Sequence, residues 1–463
     1  MLILDSLEKR KIMHNQEKFN KLRENYPKFI YEKYDILFTE EYLNIKYYFN
    51  IPGLTWFYPQ IKIKRSNIRF NFDKEYLDYL VFQVGLIELI SYVKCTCSKN
   101  IEIKCNYINE EQIKFLNKLY YNGLGEFLYI NDIKISKEEL FNIYCTHEKV
   151  ELPNIKYSGV GNLICVGGGK DSCVSLELLR NEENNTCFII NPKTPSYESC
   201  MVAGYSDNEI IGVERILDRK IVELNEKGYL NGHTPFSAIV ATTSFLVAYL
   251  NNKKNIILSN EASANEPTIP GTNINHQYSK TYEFENDFMN YIHKFIRIDI
   301  KYFSLLRGLS EFNIARIFSH YKKYFQVFKS CNVGSKEKEW KWCCNCPKCL
   351  FVYIILAPFT TLEERISIFG EDLFEKTSLL EIFQKELGFA NSKPFECVGT
   401  VNEARYAISL LIKKNEEDSY LLNYYRNNYP LYLDGEEIIK YNEENNLDEY
   451  YNNLVKKELN KYV

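Results

Sequence analysis

The chain has 463 residues, of which 45% are hydrophobic and 25% charged, and its formal net charge at pH 7 is −4. This balance is typical of folded globular proteins, and the length predicts two or three domains rather than a single core. The near-neutral charge and the lack of long basic runs argue against a nucleic-acid-binding function.

The N-terminal residues are charged from Asp5 onward and lack the apolar core of a secretory signal. The longest weakly polar stretch considered, residues 236–250, is shorter than the about 20 residues that span a bilayer. We therefore expect a cytoplasmic protein with no membrane contact, in which most of the 14 cysteines are reduced thiols.

Residues 1–155 predict a separate α+β domain. Apolar residues recur at helical spacing in 70–94 and in 110–129, whereas residues 101–108 alternate as in a strand.

Residues 156–330 predict an α/β domain with a parallel sheet. NLICV (162–166), CFIIN (187–191) and NIILS (255–259) are short apolar strands, and a long helix is expected over about 234–250. In such sheets, ligands bind at the carboxyl ends of the strands.

Residues 331–463 predict a helical region that begins with clustered cysteines. The segment LFVYIILAPF (350–359) is apolar enough for a buried helix, and residues 441–463 predict a solvated terminal helix.

The sequence GGGKDS (167–172) lies between the predicted strand 162–166 and a helix. Such a junction directs free backbone N–H groups and the positive end of a helix dipole at one point, which is an anion site. Glycines let the backbone approach phosphate oxygens, a lysine adds charge, and Asp or Ser can cap the helix or reach Mg²⁺. The alternative is a glycine-rich turn with an exposed lysine. The candidates for ATP binding are Gly167, Gly168, Gly169, Lys170, Asp171 and Ser172, of which Lys170 and Asp171 are also catalytic candidates.

This loop matches neither GxxxxGK[ST] nor GxGxxG. It resembles the SGGxDS pyrophosphate loop of the ATP-pyrophosphatase superfamily, whose members split ATP into AMP and pyrophosphate. Gly167 stands where many members have Ser, so one hydroxyl contact to phosphate is missing.

Four cysteines have the spacing of a metal site. Cys343, Cys346 and Cys349 form CxxCxxC, and Cys331 lies upstream. Four thiolates suit a closed, structural Zn²⁺ site, and 7-cyano-7-deazaguanine synthase has a similar pattern. The alternatives are Cys344 as the first ligand, an iron–sulfur cluster, or uncoordinated core cysteines.

Residues 259–285 are rich in polar side chains directly after the strand 255–259, where ligands are expected. They could contact substrate or Mg²⁺, or could form a capped surface loop. Arg307 could clamp an anion or form a helix-surface ion pair. The predicted substrate-binding residues are Asn260, Glu261, Asn275, Gln277, Tyr278, Ser279, Lys280 and Arg307.

His276 and His233 are candidates for proton transfer, because an imidazole titrates near neutral pH. Each could instead be a structural, hydrogen-bonded residue. Cys173, one residue beyond the glycine loop, is expected to pack against the sheet.

Several stretches taken together resemble the family of ATP-dependent UDP-N-acetylmuramoyl-L-alanyl-L-glutamate epimerases of peptidoglycan precursor synthesis. The resemblance extends from about residue 80 to 407. The stretches that carry it are FQVGLIELISYVK, YYNGLGEFLYIN, VGGGKDS, NGHTPFSAIV, SNEASAN, INHQYSK, FSLLRGLSE, WCCNCPKCLFVYIILAPF and ECVGTVNEARYA.

The resemblance implies a Rossmann-like adenine nucleotide alpha-hydrolase-type core. It also implies that the terminal L-glutamate of UDP-MurNAc-L-Ala-L-Glu is inverted with ATP and Mg²⁺, through an acyl-adenylate, with release of AMP and diphosphate. Two other functions stay open at this point: a nucleoside- or tRNA-modifying adenylating enzyme, and a nucleotide sensor without turnover.

Overall fold

A computed structural model of the chain describes residues 15–69, 71–152, 155–336, 340–390, 392–414 and 417–462. These residues form one mixed β-sheet of eleven strands that is covered by helices. The α/β class predicted from the sequence is therefore confirmed.

The sheet includes strands from both of the predicted domains 1–155 and 156–330. In spatial order its strands are β11, β10, β7, β8, β9, β4, β2, β1, β5 and β6, with β3 paired to β2. Their bounds are β1 Lys28–Phe38, β2 Tyr42–Ile51, β3 Thr55–Phe57, β4 Gln60–Lys64, β5 Asn100–Ile103, β6 Asn142–Cys145, β7 Asn162–Cys165, β8 Thr186–Ile190, β9 Ile210–Ile216, β10 Asn255–Leu258 and β11 Lys301–Ser304.

Five strands at one end of the sheet are parallel and lie in the order β9, β8, β7, β10, β11. Counted from β7 along the chain, this order is 3-2-1-4-5, the doubly wound arrangement. The winding reverses between β7 and β10, so a crevice opens at their carboxyl ends. All four residues of β10 are buried, as expected for a parallel strand covered by helices on both faces.

Four strands between residues 28 and 64 are not among those predicted from the sequence. β2 pairs antiparallel with both β1 and β4, and β5 and β6 extend this part of the sheet from β1. Buried and half-buried residues alternate along the whole of β2, which is the period of a strand.

The two parts of the sheet are joined where β4 pairs antiparallel with β9, from Gln60 opposite Ile216 to Ile63 opposite Val213. A bidentate ion pair supports the junction, because Arg215 Nε and Nη2 donate to Glu88 at 2.7 and 2.9 Å. Backbone pairing thus crosses the predicted boundary at residue 155, and the division into domains stays a prediction.

The helices cover both faces of the sheet and form the C-terminal region. Their bounds are α1 (15–25), α2 Lys74–Glu88, α3 Ile90–Val93, α4 Glu110–Gly123, α5 Gly125–Ile130, α6 Lys137–Leu140, α7 Lys170–Leu179, α8 Thr194–Ala203, α9 Lys220–Glu226, α10 Phe236–Leu250, α11 Tyr282–Tyr291, α12 Glu311–Ser319, α13 Pro347–Leu356, α14 Leu362–Phe369, α15 Leu380–Glu386, α16 Val401–Lys414, α17 Tyr420–Asn428, α18 Glu436–Ile439 and α19 Glu449–Leu459.

The longest apolar helical segment is Lys74–Val93 rather than the expected 236–250. The segment is long and apolar enough to cross a membrane, but 94% of its most apolar 18-residue stretch is buried inside the protein. It is a core element, and Asp73 caps its N-terminus by accepting the N–H of Tyr76 at 2.9 Å.

The expectation of a solvated terminal helix is wrong for one face of α19. Tyr451, Val455 and Leu459 are buried there. The Tyr451 hydroxyl donates to Asn162 Oδ1 at 2.8 Å and accepts from Asn255 Nδ2 at 3.2 Å. The C-terminal helix is thus fastened to the first residues of β7 and β10.

We predict that Tyr451→Phe lowers the free energy of unfolding by about 0.5–1.5 kcal/mol, because it removes one hydrogen bond from each of the buried amides of Asn162 and Asn255, which keep their mutual bond at 2.9 Å. The matched control is Tyr450→Phe, whose ring is 55% exposed and whose hydroxyl contacts Glu182 at the surface. The control should change stability by less than about 0.5 kcal/mol. Urea unfolding of the two variants checks this, and equal losses would contradict the assigned role of Tyr451.

Candidate active site

Three loops meet at the carboxyl ends of β7, β10 and β11. The glycine loop follows β7, Asn260 and Glu261 follow β10, and Arg307 follows β11. They surround the crevice between β7 and β10, where doubly wound sheets bind their ligands.

The glycine loop requires glycine at Gly168. This residue has φ +85°, and a Cβ there would lie 2.7 Å from the backbone nitrogen of Ser196. Gly168 also accepts the N–H of Lys329 at 2.8 Å and donates its own N–H to Ser172 Oγ at 3.1 Å. The backbone of Ser196, the N–H of Lys329 and the hydroxyl of Ser172 therefore fix the position of the loop.

The other two glycines leave the helix end open. Gly169 is the N-cap of α7 and no side chain caps it among the described residues. Gly167 is exposed, and a Cβ on it would meet nothing within 4 Å in that same part of the chain. The N-terminus of α7 thus faces a space that an anion could enter.

Lys170 is not an exposed lysine, since only 2% of its side chain is accessible. Its ammonium forms ion pairs with Asp171 and with Glu311, the first residue of α12. Burial would lower the pKa of Lys170, but these two carboxylates raise it above its ordinary value, so the lysine stays charged.

Asp171, Glu261 and Glu311 form a group of three carboxylates with one oxygen from each within 4.8 Å of the others. Burial raises the pKa of Glu311 to about 7 against the opposing effect of Lys170, and burial also raises the pKa of Glu261. The pKa of Asp171 is lowered, because Lys170 and Lys348 outweigh its burial. Clustered carboxylate oxygens are the ligands that Mg²⁺ uses in proteins, so this group could hold that ion.

Arg307 is fully buried and is occupied by protein partners. Its Nη1 donates to the carbonyl of Glu261 at 2.8 Å, and its Nη2 donates to the carbonyl of Lys280 at 2.6 Å and to Glu285 at 2.9 Å. It ties together the loops that follow β10 and β11, and a direct contact to substrate stays a prediction.

In the polar segment after β10, most of the side chains hold the segment itself in place, whereas Glu261 and Lys280 belong to the charged group of the crevice. Asn260 donates to Ser304 Oγ at 3.0 Å, Asn275 donates to the carbonyl of Ala264 at 2.8 Å, and Gln277 donates to that of Val398 at 3.1 Å. Tyr278 and Ser279 are buried in a 3₁₀ turn. Lys280, the last residue of that turn, interacts electrostatically with Glu261 and Asp171.

A second polar group adjoins the first. His276 Nδ1 contacts Glu126 of α5, His233 Nδ1 lies 3.5 Å from the same carboxylate, and the two imidazole rings are 4.4 Å apart. Burial would lower the pKa of His276, but its hydrogen bond to the carboxylate of Glu126 and its interaction with Cys397 raise that pKa to about 9. Burial and the neighbouring charge of His276 lower the pKa of His233 to about 3. Near neutral pH one imidazole is therefore charged and the other neutral.

Cys397 links the two groups and was not predicted from the sequence. Its thiol interacts electrostatically with His276 and Lys280. Lys348 Nζ contacts its carbonyl oxygen, and Gln277, next to His276, donates to the following carbonyl of Val398 at 3.1 Å. Burial would raise the pKa of this thiol, but Lys280 and His276 lower it to about 6. By contrast Cys173 is buried beside Ser199, and burial raises its pKa, as expected for a packed thiol.

The four predicted metal cysteines come together. Cys331–Cys346, Cys343–Cys349 and Cys346–Cys349 have Sγ–Sγ distances of 3.9, 3.7 and 3.5 Å. A tetrahedral ion with Zn–S bonds near 2.3 Å separates its sulfurs by about 3.8 Å, so the group could hold a metal ion. Cys344 is directed elsewhere, to the carbonyl of Phe369 at 3.2 Å, which removes it as the alternative ligand.

The cysteine group borders the crevice at two places. Lys329, two residues before Cys331, is the residue that donates to Gly168, and a Cβ on Gly169 would lie 3.3 Å from Ser330 Cβ. Lys348 lies between Cys346 and Cys349 on the first turn of α13. Its charge acts on Asp171, Glu261 and Glu311.

Comparison with known proteins identifies the family. A family model described as the MurL N-terminal domain matches residues 20–305, and one described as the MurL C-terminal domain matches residues 327–437. No solved structure matches the chain.

Three similar curated proteins are each named UDP-N-acetyl-alpha-D-muramoyl-L-alanyl-L-glutamate epimerase. The protein of Xanthomonas oryzae pv. oryzae is 34% identical over 353 residues, which cover 74% of this chain and 77% of that protein. The protein of Micromonospora sp. is 34% identical, with 71% and 73% covered. That of Salinispora tropica is 34% identical, with 70% of each covered. The chain therefore belongs to the MurL family of epimerases and is an isomerase.

Proposed function

We propose that the protein epimerises the terminal L-glutamate of UDP-MurNAc-L-Ala-L-Glu to D-glutamate through an acyl-adenylate, with release of AMP and diphosphate. The observation that carries this proposal is the three-carboxylate group beside the open N-terminus of α7. The names of the three relatives supply the substrate. We place the reaction in peptidoglycan precursor synthesis as part of the same proposal. The alternative of a tRNA-modifying enzyme rests on the loop and the cysteines alone.

Activation of the carboxylate is the chemical reason for the use of ATP. A free carboxylate places negative charge next to the α-carbon and makes its proton very hard to remove. In an acyl-adenylate that charge is gone and the carbonyl can accept the electron pair as an enolate. Hydrolysis after reprotonation on the other face then releases the epimer.

The nucleotide would bind with its polyphosphate at the glycine loop. Gly167, Gly168 and Gly169 would let the first N–H groups of α7 meet phosphate oxygens. Asp171, Glu261 and Glu311 would hold Mg²⁺, which neutralises charge on the polyphosphate. Lys170 would act by keeping these carboxylates together. This assignment supports an adenine nucleotide alpha-hydrolase-type core for the parallel half of the sheet.

His276 and His233 fit a role in proton transfer. Environments that drive the pKa values of two neighbouring groups apart provide an acid and a base at the same pH. Here the charged imidazole of His276 would supply a proton and the neutral imidazole of His233 would accept one. The ammonium of Lys280 interacts with Glu261 and Cys397 in the crevice, and there it would pair with a carboxylate of the bound glutamate.

The reaction is tested with ATP, Mg²⁺ and UDP-MurNAc-L-Ala-L-Glu in D₂O. We expect AMP and diphosphate that appear only with the dipeptide substrate, deuterium at the α-carbon, and D-glutamate after acid hydrolysis. Glu261→Gln, which removes one carboxylate of the predicted Mg²⁺ group, should lower AMP release by at least about tenfold. The proposal would be contradicted if the unaltered protein released no AMP and took up no deuterium.

Glycine-to-alanine variants test the nucleotide loop. Gly168→Ala should weaken ATP binding about tenfold or more, because a left-handed φ costs an L-residue roughly 1–2 kcal/mol even before the contact with Ser196 is relieved. Gly53→Ala, which has a similar left-handed φ of +78° in the turn between β2 and β3 and meets nothing within 4 Å among the described residues, should stay within about twofold of the parent. Isothermal titration with ATP and Mg²⁺ measures both, and equal affinities would argue against this loop as the nucleotide site.

We further propose that the cysteine group holds a structural Zn²⁺. About one ion per chain is expected, lost in Cys349→Ser and kept in Cys344→Ser, since Cys344 lies outside the group. Metal analysis together with the thermal midpoint of each variant checks this. Iron with acid-labile sulfide, and visible absorption, would indicate an iron–sulfur cluster instead.

A further inference from the structure

Cys397 differs in environment from the other buried thiols. Burial raises the pKa of six described cysteines that lie away from the metal group: Cys95, Cys97, Cys105, Cys165, Cys173 and Cys187. Cys397 is instead flanked by the two cationic side chains of His276 and Lys280. It precedes α16 in an irregular segment and is partly exposed.

The contacts of Cys397 form a chain of acid and base groups. Glu126 contacts Nδ1 of His276, and the hydrogen bond from Gln277 to the carbonyl of Val398 places Cys397 beside that imidazole, with which its thiol interacts electrostatically. A carboxylate that orients an imidazole, which in turn activates a thiol, is the arrangement found in cysteine enzymes of several folds. The thiolate is therefore favoured over the thiol at neutral pH.

Lys280 connects this chain to the proposed adenylation site. Its ammonium interacts electrostatically with Cys397 and also with Glu261 and Asp171. Lys280 is thus a charged group shared by the thiol and the proposed adenylation site. The electrostatic neighbours of Cys397 are Lys280, His276 and Lys348, and all three of them are cations.

We propose that Cys397 transfers the α-proton at one face of the activated glutamate, an inference that rests on the proposed function. The thiolate takes the proton and becomes a thiol, while the C–H electron pair moves into the acyl group to form an enolate. The imidazolium of His276 then gives a proton to the other face, so that Cys397 takes the place of His233 as the proton acceptor. Hydrolysis of the inverted acyl-adenylate and return of the thiol proton to the imidazole restore the starting state.

The test uses the enzyme with its metal, ATP and UDP-MurNAc-L-Ala-L-Glu, and measures two reactions: exchange of labelled diphosphate into ATP, which reports acyl-adenylate formation, and formation of D-glutamate. The parent enzyme should show both. Cys397→Ser should keep the exchange within a few-fold of the parent, because adenylation precedes proton transfer, but should form D-glutamate at least about 100-fold more slowly, the usual contribution of an acid–base group. Cys145→Ser, a partly covered cysteine at the end of β6, is the matched control and should behave as the parent.

Each other outcome overturns the proposal. Inversion that continues in Cys397→Ser removes the thiol from proton transfer, and a parallel loss of diphosphate exchange and D-glutamate indicates a role in folding or adenylation. A glutamyl adduct on Cys397 in acid-quenched parent enzyme, detected by mass spectrometry, indicates a covalent thioester instead. Absence of AMP from the parent enzyme is different, because it contradicts the proposed function itself.

Iodoacetamide provides a measurement that does not depend on a variant. In the parent enzyme at pH 7, peptide mapping should find Cys397 alkylated faster than Cys145, because the thiolate is the reactive form. Prior incubation with the substrate and ATP should slow that alkylation. Equal rates for the two cysteines would overturn the proposed thiolate.

Discussion

The ion pairs of Lys170 with Asp171 and Glu311 are the interaction on which the site depends. Three carboxylates within 4.8 Å of one another repel strongly when little water is present to screen them. A buried ammonium between two of them makes the group possible in the absence of a metal ion. Because Lys170 is on α7 and Glu311 on α12, the same contact also holds together two helices that flank the crevice.

The remaining parts of the site are attached to this centre by residues with a mainly structural role. Glu311 donates its N–H to Ser263 Oγ at 3.3 Å, and Ser263 donates to Glu403 of α16 at 2.7 Å. Arg307 fastens the loop after β10 to Glu285 of α11. Groups from distant parts of the chain therefore have fixed relative positions before any ligand binds, which reduces the reorganisation needed for catalysis.

The sequence reveals those parts of the site that come from one local pattern. The glycine loop and the cysteine spacing can be recognised because the residues of each motif are close in the sequence. In the structure the loop begins a helix and the four cysteines form one group. Glu126, Glu311 and Cys397 are single ordinary residues in their own segments, and only the fold brings them to the crevice. The strands between 28 and 64 could have been predicted from the alternation in β2. By contrast, no local pattern indicates that Tyr451 of α19 hydrogen bonds with the distant amides of Asn162 and Asn255.

The pairing of β4 with β9 also has a practical consequence for work with fragments. β9 would otherwise be the outermost strand of the five parallel ones, with a row of unpaired N–H and C=O groups. Exposed strand edges of this kind recruit other chains and promote aggregation. A truncated protein that starts after residue 155 would carry the whole glycine loop and all four metal cysteines and still expose this edge, so expression trials should retain the N-terminal strands.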